Sequence, residues 1–77
     1  MLRSRFRAFP DLELVSADFE LAAEFFNACR GHGVQGSNTD FLICAAADRR
    51  KLPILTTDGD FLLYQKYLPI VLHPPRI

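Results

Sequence analysis

The sequence predicts an α/β fold with parallel strands. Three observations carry that expectation. Strand-length runs LELV, PILT and PIVL stand at 12–15, 53–56 and 69–72. Segments of helical period lie between them, and Gly, Pro or a capping residue marks the changes from one pattern to the next. The expected order is β-α-α-β-α-β, and strands joined through helices pair in parallel.

Leu12 to Val15 is the first strand candidate. Ser16 or Asp18 can cap the helix that follows, in which Phe19, Ala22, Phe26 and Cys29 recur at helical spacing until Gly31 and Gly33 stop it. Leu21, Phe25 and Ala28 widen the apolar face, and a stripe so broad belongs on a sheet or between layers. Ser37 and Asp40 then have the S-x-x-D spacing of a capping box ahead of the apolar run Phe41 to Ala47. Ala45, Ala46 and Ala47 let that helix approach its neighbours closely. Asp48, Arg49, Arg50 and Lys51 bring it out to solvent, with the cations where the helix dipole favours them. PILT reads as a strand buried on both faces of a parallel sheet. FLLYQKYL, Phe61 to Leu68, reads as a short helix and Pro69 to Leu72 as a last strand, ended by His73, Pro74 and Pro75.

A chain of 77 residues is expected to form one small domain of marginal stability. With 49% hydrophobic and 23% charged residues, its composition is that of a globular protein rather than a disordered segment. Nine Lys and Arg balance nine Asp and Glu, which excludes a general electrostatic attraction to nucleic acid or to an anionic membrane. Arg3, Arg5 and Arg7 form a local basic patch, read as a solvated end, with phosphate contact as the sharper alternative. Cys29 and Cys44 lack the paired spacing of a zinc site and read as reduced core residues. His32 and His73 sit beside turn residues and read as loop positions rather than ligands. No apolar run approaches the length of a membrane span, and no signal-peptide core follows the first arginines. A cytoplasmic location with no membrane partner is the expectation.

The chemistry-bearing stretch is TTDGDF. In open parallel sheets the ligand site lies at the carboxyl ends of the strands, and Asp58 and Asp60 follow such an end directly. Asp40 opens the helix that leads into the same strand, so helix start and strand end fall at one edge and Asp40 can face Asp58. Clustered carboxylates repel, and a hard cation such as Mg²⁺ or Mn²⁺ is the usual compensation. The structural alternative stands beside it. Asp40 can be the capping partner of Ser37, and Asp58 or Asp60 the cap of the helix near Phe61. Glu20 and Glu24, one turn apart, read as a solvated face.

Taken together, the helix ending in R-x-x-G, the segment S-x-x-D-x-L-I-x-A-A-A and the run L-P-I-L-T-x-D-x-D-F resemble the C-terminal half of a PIN domain, in particular the VapC-type toxins of toxin-antitoxin systems. The resemblance runs from about Leu12 to Leu72. It implies an endoribonuclease that uses Mg²⁺ or Mn²⁺, with RNA as substrate and an antitoxin as a possible partner. On that pattern Asp40 and Asp58 are the catalytic acids, Asp40, Asp58 and Asp60 bind the metal, and Thr56 is an auxiliary hydroxyl that orients a carboxylate or a water. ILTTDGDF also looks like the D-x-D nucleophile motif of haloacid-dehalogenase-type phosphatases, but too few residues follow Asp60 to carry that family's later lysine and acidic motifs.

PIN domains of this type begin with a strand bearing the first site aspartate and a helix bearing a glutamate, and nothing before Leu12 matches either. The expectation is therefore a partial PIN-like domain with an incomplete sheet, weak metal binding and little activity alone. Loss of a central strand also predicts self-association. The alternative function is a non-catalytic fragment that binds an antitoxin or another PIN chain.

Overall fold

In the computed structural model, which describes residues 13–73, the chain runs α1 (Ser16–Gly31), α2 (Asn38–Arg50), β1 (Ile54–Leu55), α3 (Gly59–Gln65) and β2 (Leu72–His73). It is a small α/β chain of three helices and two parallel strands in an incomplete sheet.

The start of α1 corrects the expected strand at Leu12–Val15. Glu13, Leu14 and Val15 are not in a strand, and Leu12 lies outside the described residues. The Val15 N–H donates to Asp18 Oδ2 at 2.8 Å, while the Asp18 N–H donates to the Val15 carbonyl at 2.9 Å. Arg50 Nη2 donates to the Glu13 carbonyl at 3.3 Å. In a strand, the Glu13 carbonyl and the Val15 N–H would face the same edge; here a helix cap and an arginine hold both. Of the two residues proposed as the cap, Asp18 supplies the bond, from the first turn.

The broad apolar stripe of α1 is only partly covered. Phe25 and Cys29 are buried, Leu21, Ala22 and Phe26 pack partly against the core, and Phe19 remains 50% exposed. Ala28, read as part of the stripe, is exposed. The helix ends in a turn that brings the Val34 N–H to the Cys29 carbonyl at 2.9 Å.

At α2 the expected cap is present, since Ser37 Oγ accepts the Asp40 N–H at 3.0 Å. Phe41, Leu42 and Cys44 to Ala47 are all buried, so this helix is the centre of the core, and the small alanines allow the close packing that its position requires. The Phe26 and Phe41 rings meet edge to face at 5.8 Å. The helix closes at Lys51, whose backbone is left-handed (φ 58), and the Leu52 N–H reaches back to the Ala47 carbonyl at 2.9 Å. Pro53 then cannot continue it.

The strands are shorter than the apolar runs that predicted them. β1 occupies two residues of PILT, with Ile54 buried and Leu55 exposed. β2 pairs with it in parallel, Ile54 opposite Leu72 and Leu55 opposite His73, and the Ile54 N–H donates to the Val71 carbonyl at 2.8 Å. The last strand therefore lies later than Pro69–Leu72. Pro69 has no N–H, and the Ile70 N–H turns back to the Leu68 carbonyl at 2.9 Å, so the chain enters the ladder only at its end. Between the strands, α3 starts at Gly59, ahead of the expected Phe61, because Asp58 caps it. Phe61, Tyr64, Leu68 and Ile70 close the core from this side. No helix among the described residues is long and apolar enough to cross a membrane.

Candidate functional site

Asp40 stands in the first turn of α2, where the Ser37 cap fixes its backbone. Its carboxylate is turned toward α3 and accepts the Tyr64 hydroxyl hydrogen at 2.8 Å. Tyr64 is fully buried, with its ring 5.0 Å from Phe41 and 5.2 Å from Phe61 between centroids. Burial first, then the bond to Asp40 and the charges of Asp40 and Asp60, hold the phenol above its usual range. It stays a neutral donor, and both carboxylates act on the same hydroxyl. The loop before α2 lies against this group, since a Cβ at Gly36 would collide with the Tyr64 hydroxyl and ring.

Asp58 follows β1 and caps α3. Its Oδ1 accepts the Asp60 N–H at 2.9 Å, and its own N–H donates to Thr56 Oγ1 at 2.9 Å. Thr56, Asp58 and Asp60 thus form one locally bonded turn, and the hydroxyl expected to orient a carboxylate orients the backbone that carries it. The structure ties Asp58 to Asp60 directly, and Asp40 to α3, the helix that Asp58 caps, through Tyr64.

For a divalent cation the donor set falls short. Among the described residues no group of three or more His, Cys, Asp or Glu side chains gathers in a way that could hold a metal ion. One oxygen of Asp40 is taken by Tyr64 and one of Asp58 by the α3 cap. Mg²⁺ needs an octahedron of oxygens and Ca²⁺ or Mn²⁺ a comparable shell, so these carboxylates do not by themselves make a complete site. The cysteines add nothing reactive. Both are free and buried, and burial, followed by the charge of Asp40 and by Cys29, pushes the Cys44 thiol up to about 12.

Two features escaped the sequence reading. The first is a buried ion cluster. Asp18, fully buried, takes Arg49 Nη1 at 2.8 Å and Arg50 Nη1 at 2.7 Å on Oδ1, and Arg50 Nη2 at 2.9 Å on Oδ2. The hydrogen bond from Arg50 is the largest cause that holds the Asp18 carboxyl well below its usual range, against the opposing effect of burial. Arg49 and Arg50 were read as the solvated end of α2. They instead lock that end to the start of α1, because the antiparallel packing of the two helices brings the Asp18 turn beside them. Nothing in the spacing of Asp18 from the arginines announces this.

The second is an aromatic stack. His32, in the turn after α1, lies over Tyr67, just past α3, with centroids 4.3 Å apart and planes inclined by 19°. A Gly-His-Gly turn far from both tyrosines in sequence gives no hint of it. An apolar groove of about 380 Å³ also opens between α1 and α2, lined by Phe19, Ala22, Phe26, Phe41 and Leu42 with Asn38 and Thr39. Glu20 and Glu24 are exposed, as a solvated face requires. The basic patch of Arg3, Arg5 and Arg7 lies outside the described residues. No family model, curated protein or solved structure matches the chain.

Proposed function

We propose that the chain is the C-terminal part of a PIN-like, VapC-type ribonuclease fold, with Asp40 and Asp58 as its share of the catalytic acids. Asp60 is the adjacent acid and Thr56 the residue that fixes the turn. The observation that supports this reading is the bond from the Tyr64 hydroxyl to Asp40, which joins the start of α2 to α3, the helix that Asp58 caps just after β1. The carboxyl end of a parallel strand is where ligands bind in such sheets. The described acids do not by themselves complete a Mg²⁺ or Mn²⁺ site, and in this reading further acids join them.

A second reading is binding without catalysis, to an antitoxin or to another PIN chain or a copy of this one. It is favoured by the exposure of Leu55 and Val71, at 56% and 57%, on and beside a sheet that has two strands among the described residues, and of Leu62 on α3, at 63%. The deciding experiment mixes the chain with the N-terminal half of a PIN domain and measures Mn²⁺-dependent cleavage of single-stranded RNA. Cleavage that Asp40→Asn and Asp58→Asn each remove, with the complex intact, supports the nuclease. Complex formation without cleavage supports binding alone, and cleavage that survives both substitutions overturns the assignment of these acids.

A further inference from the structure

Tyr64 lies in α3 and Tyr67 in the turn just after it, and both meet the loop that joins α1 to α2. Tyr64 meets that loop at Gly36 beside Asp40, and Tyr67 meets it at His32. Unlike the buried Tyr64, Tyr67 is 38% exposed, and His32 is exposed as well. The result is a stacked aromatic pair at the surface, three residues along the chain from the tyrosine that holds Asp40.

Along the chain, the charge beside the pair is of one sign. The segments Arg30–Ser37 and Gln65–Pro69 contain no acid, and they carry Arg30 and Lys66 within two residues of the stacked rings. Arg30 also lines a hollow of about 330 Å³ with Phe26, Val34, Gln35 and Gly36, on the loop that holds His32. Exposed aromatic faces with adjacent cations are what single-stranded nucleic acids require, because every base has a π-face to stack and every nucleotide a phosphate to neutralise.

From this geometry we infer that the His32–Tyr67 pair is a base-stacking platform for single-stranded RNA, with Arg30 and Lys66 holding the adjoining phosphates. The choice of RNA rests on the ribonuclease reading; the platform itself rests on the stack and its charge. Tyr67 follows Tyr64 by three residues, in the turn that closes α3, where its N–H donates to the Tyr64 carbonyl at 2.9 Å. The platform is thus joined through this turn to the residue that holds Asp40.

The chain has no tryptophan, so Tyr67→Trp supplies a single fluorescent reporter. In buffer without divalent cations, ten-nucleotide oligouridylate and oligoadenylate should quench its emission saturably. His32→Ala should weaken that binding by about tenfold, the worth of one stacked base. Arg30→Gln should weaken it and reduce its salt dependence. Tyr67→Phe and His32→Phe keep an aromatic pair and, followed by anisotropy of a labelled oligonucleotide, should bind as the native chain does. Circular dichroism checks each variant's fold. Absence of saturable quenching, equal quenching by a heparin fragment, or weakened binding in the phenylalanine variants would overturn the platform. Quenching by RNA without cleavage in the reconstituted mixture sinks only the nuclease reading. Cleavage without quenching sinks only this inference.

Discussion

The Tyr64 hydroxyl donates to the Asp40 carboxylate across 2.8 Å, and through that bond the third helix grips the start of the second. Tyr64→Phe keeps the ring and removes the bond. It should cost about 1.5–3 kcal/mol, the range for a hydrogen bond to a charged group. Urea denaturation checks the value. Unchanged stability would mean that Asp40 is satisfied by water and that the bond does not hold the two helices together.

Gly36 should be intolerant of a side chain for the same geometric reason. A Cβ there meets the Tyr64 ring at 2.8 and 2.9 Å, closer than real contacts allow, as well as the hydroxyl. Gly36→Ala is expected to cost about 2 kcal/mol, as other overpacked sites do. Because the ring carbons clash as well as the oxygen, adding Tyr64→Phe should recover only part of the loss. A double-mutant cycle measures it, and full additivity would place the two residues out of contact.

Asp58 separates capping from chemistry. Asn is as good an N-cap as Asp, whereas Ala is not. Asp58→Asn should therefore leave thermal stability nearly unchanged and Asp58→Ala should lower it by about 1 kcal/mol. If the proposed nuclease is correct, the Asn variant nonetheless loses metal-dependent cleavage in the reconstituted mixture. Retained cleavage by Asp58→Asn would leave the residue a cap only.

The Asp18 cluster predicts the acid limb of the stability profile. Its carboxyl titrates well below the usual carboxylate range, mainly through the Arg50 hydrogen bond. A depressed folded-state pKa adds stability that is fully present above the unfolded value. That stability is lost as pH falls below about 4 toward the folded value. Asp18→Asn should remove this acid-dependent part and cost about 3 kcal/mol near neutrality, since a broken buried pair leaves the arginines without their partner. Arg49 and Arg50 side chains are 35% and 22% exposed, so water partly relieves them and the cost should not reach the upper end seen for sealed pairs. Stability measured from pH 2 to 7 for both chains tests the sign. A variant with the native acid slope would show that other carboxylates set it.

Self-association should be visible in sedimentation velocity. Leu55 on β1 and Val71 beside β2 leave apolar surface on a two-stranded sheet, and Phe19 does the same on α1. Leu55→Lys and Val71→Lys should shift the chain toward monomer while leaving its helical content unchanged. A native chain that sediments as monomer at all concentrations would refute the expectation.

The helices were legible because their causes are local. Ser37 and Asp40 show the start of α2, Asp58 the start of α3, and the buried run Phe41 to Ala47 the core face, all from neighbours within one or two turns. Parallel pairing of PILT with the last apolar run followed from the helix between them. Asp40, Asp58 and Asp60 were singled out by position at a helix start and a strand end, and Thr56 by the family resemblance; what the structure shows of them is two helix caps, a turn and the Tyr64 bond. What the local pattern could not supply was the destination of groups with long reach. LELV has the composition of a strand, yet its backbone is bonded by the Asp18 cap and by Arg50, from a helix far along the chain. Arg49 and Arg50 look like a solvated helix end, and only the packing of α2 against α1 turns them onto a buried carboxylate. His32 and Tyr67 stack for the same reason: side chains distant in sequence meet only after the helices have docked. Capping and periodicity are decided by neighbouring residues and can be read from the sequence. Ion pairs and aromatic stacks depend on which surfaces the core brings together, and that is a property of the assembled fold.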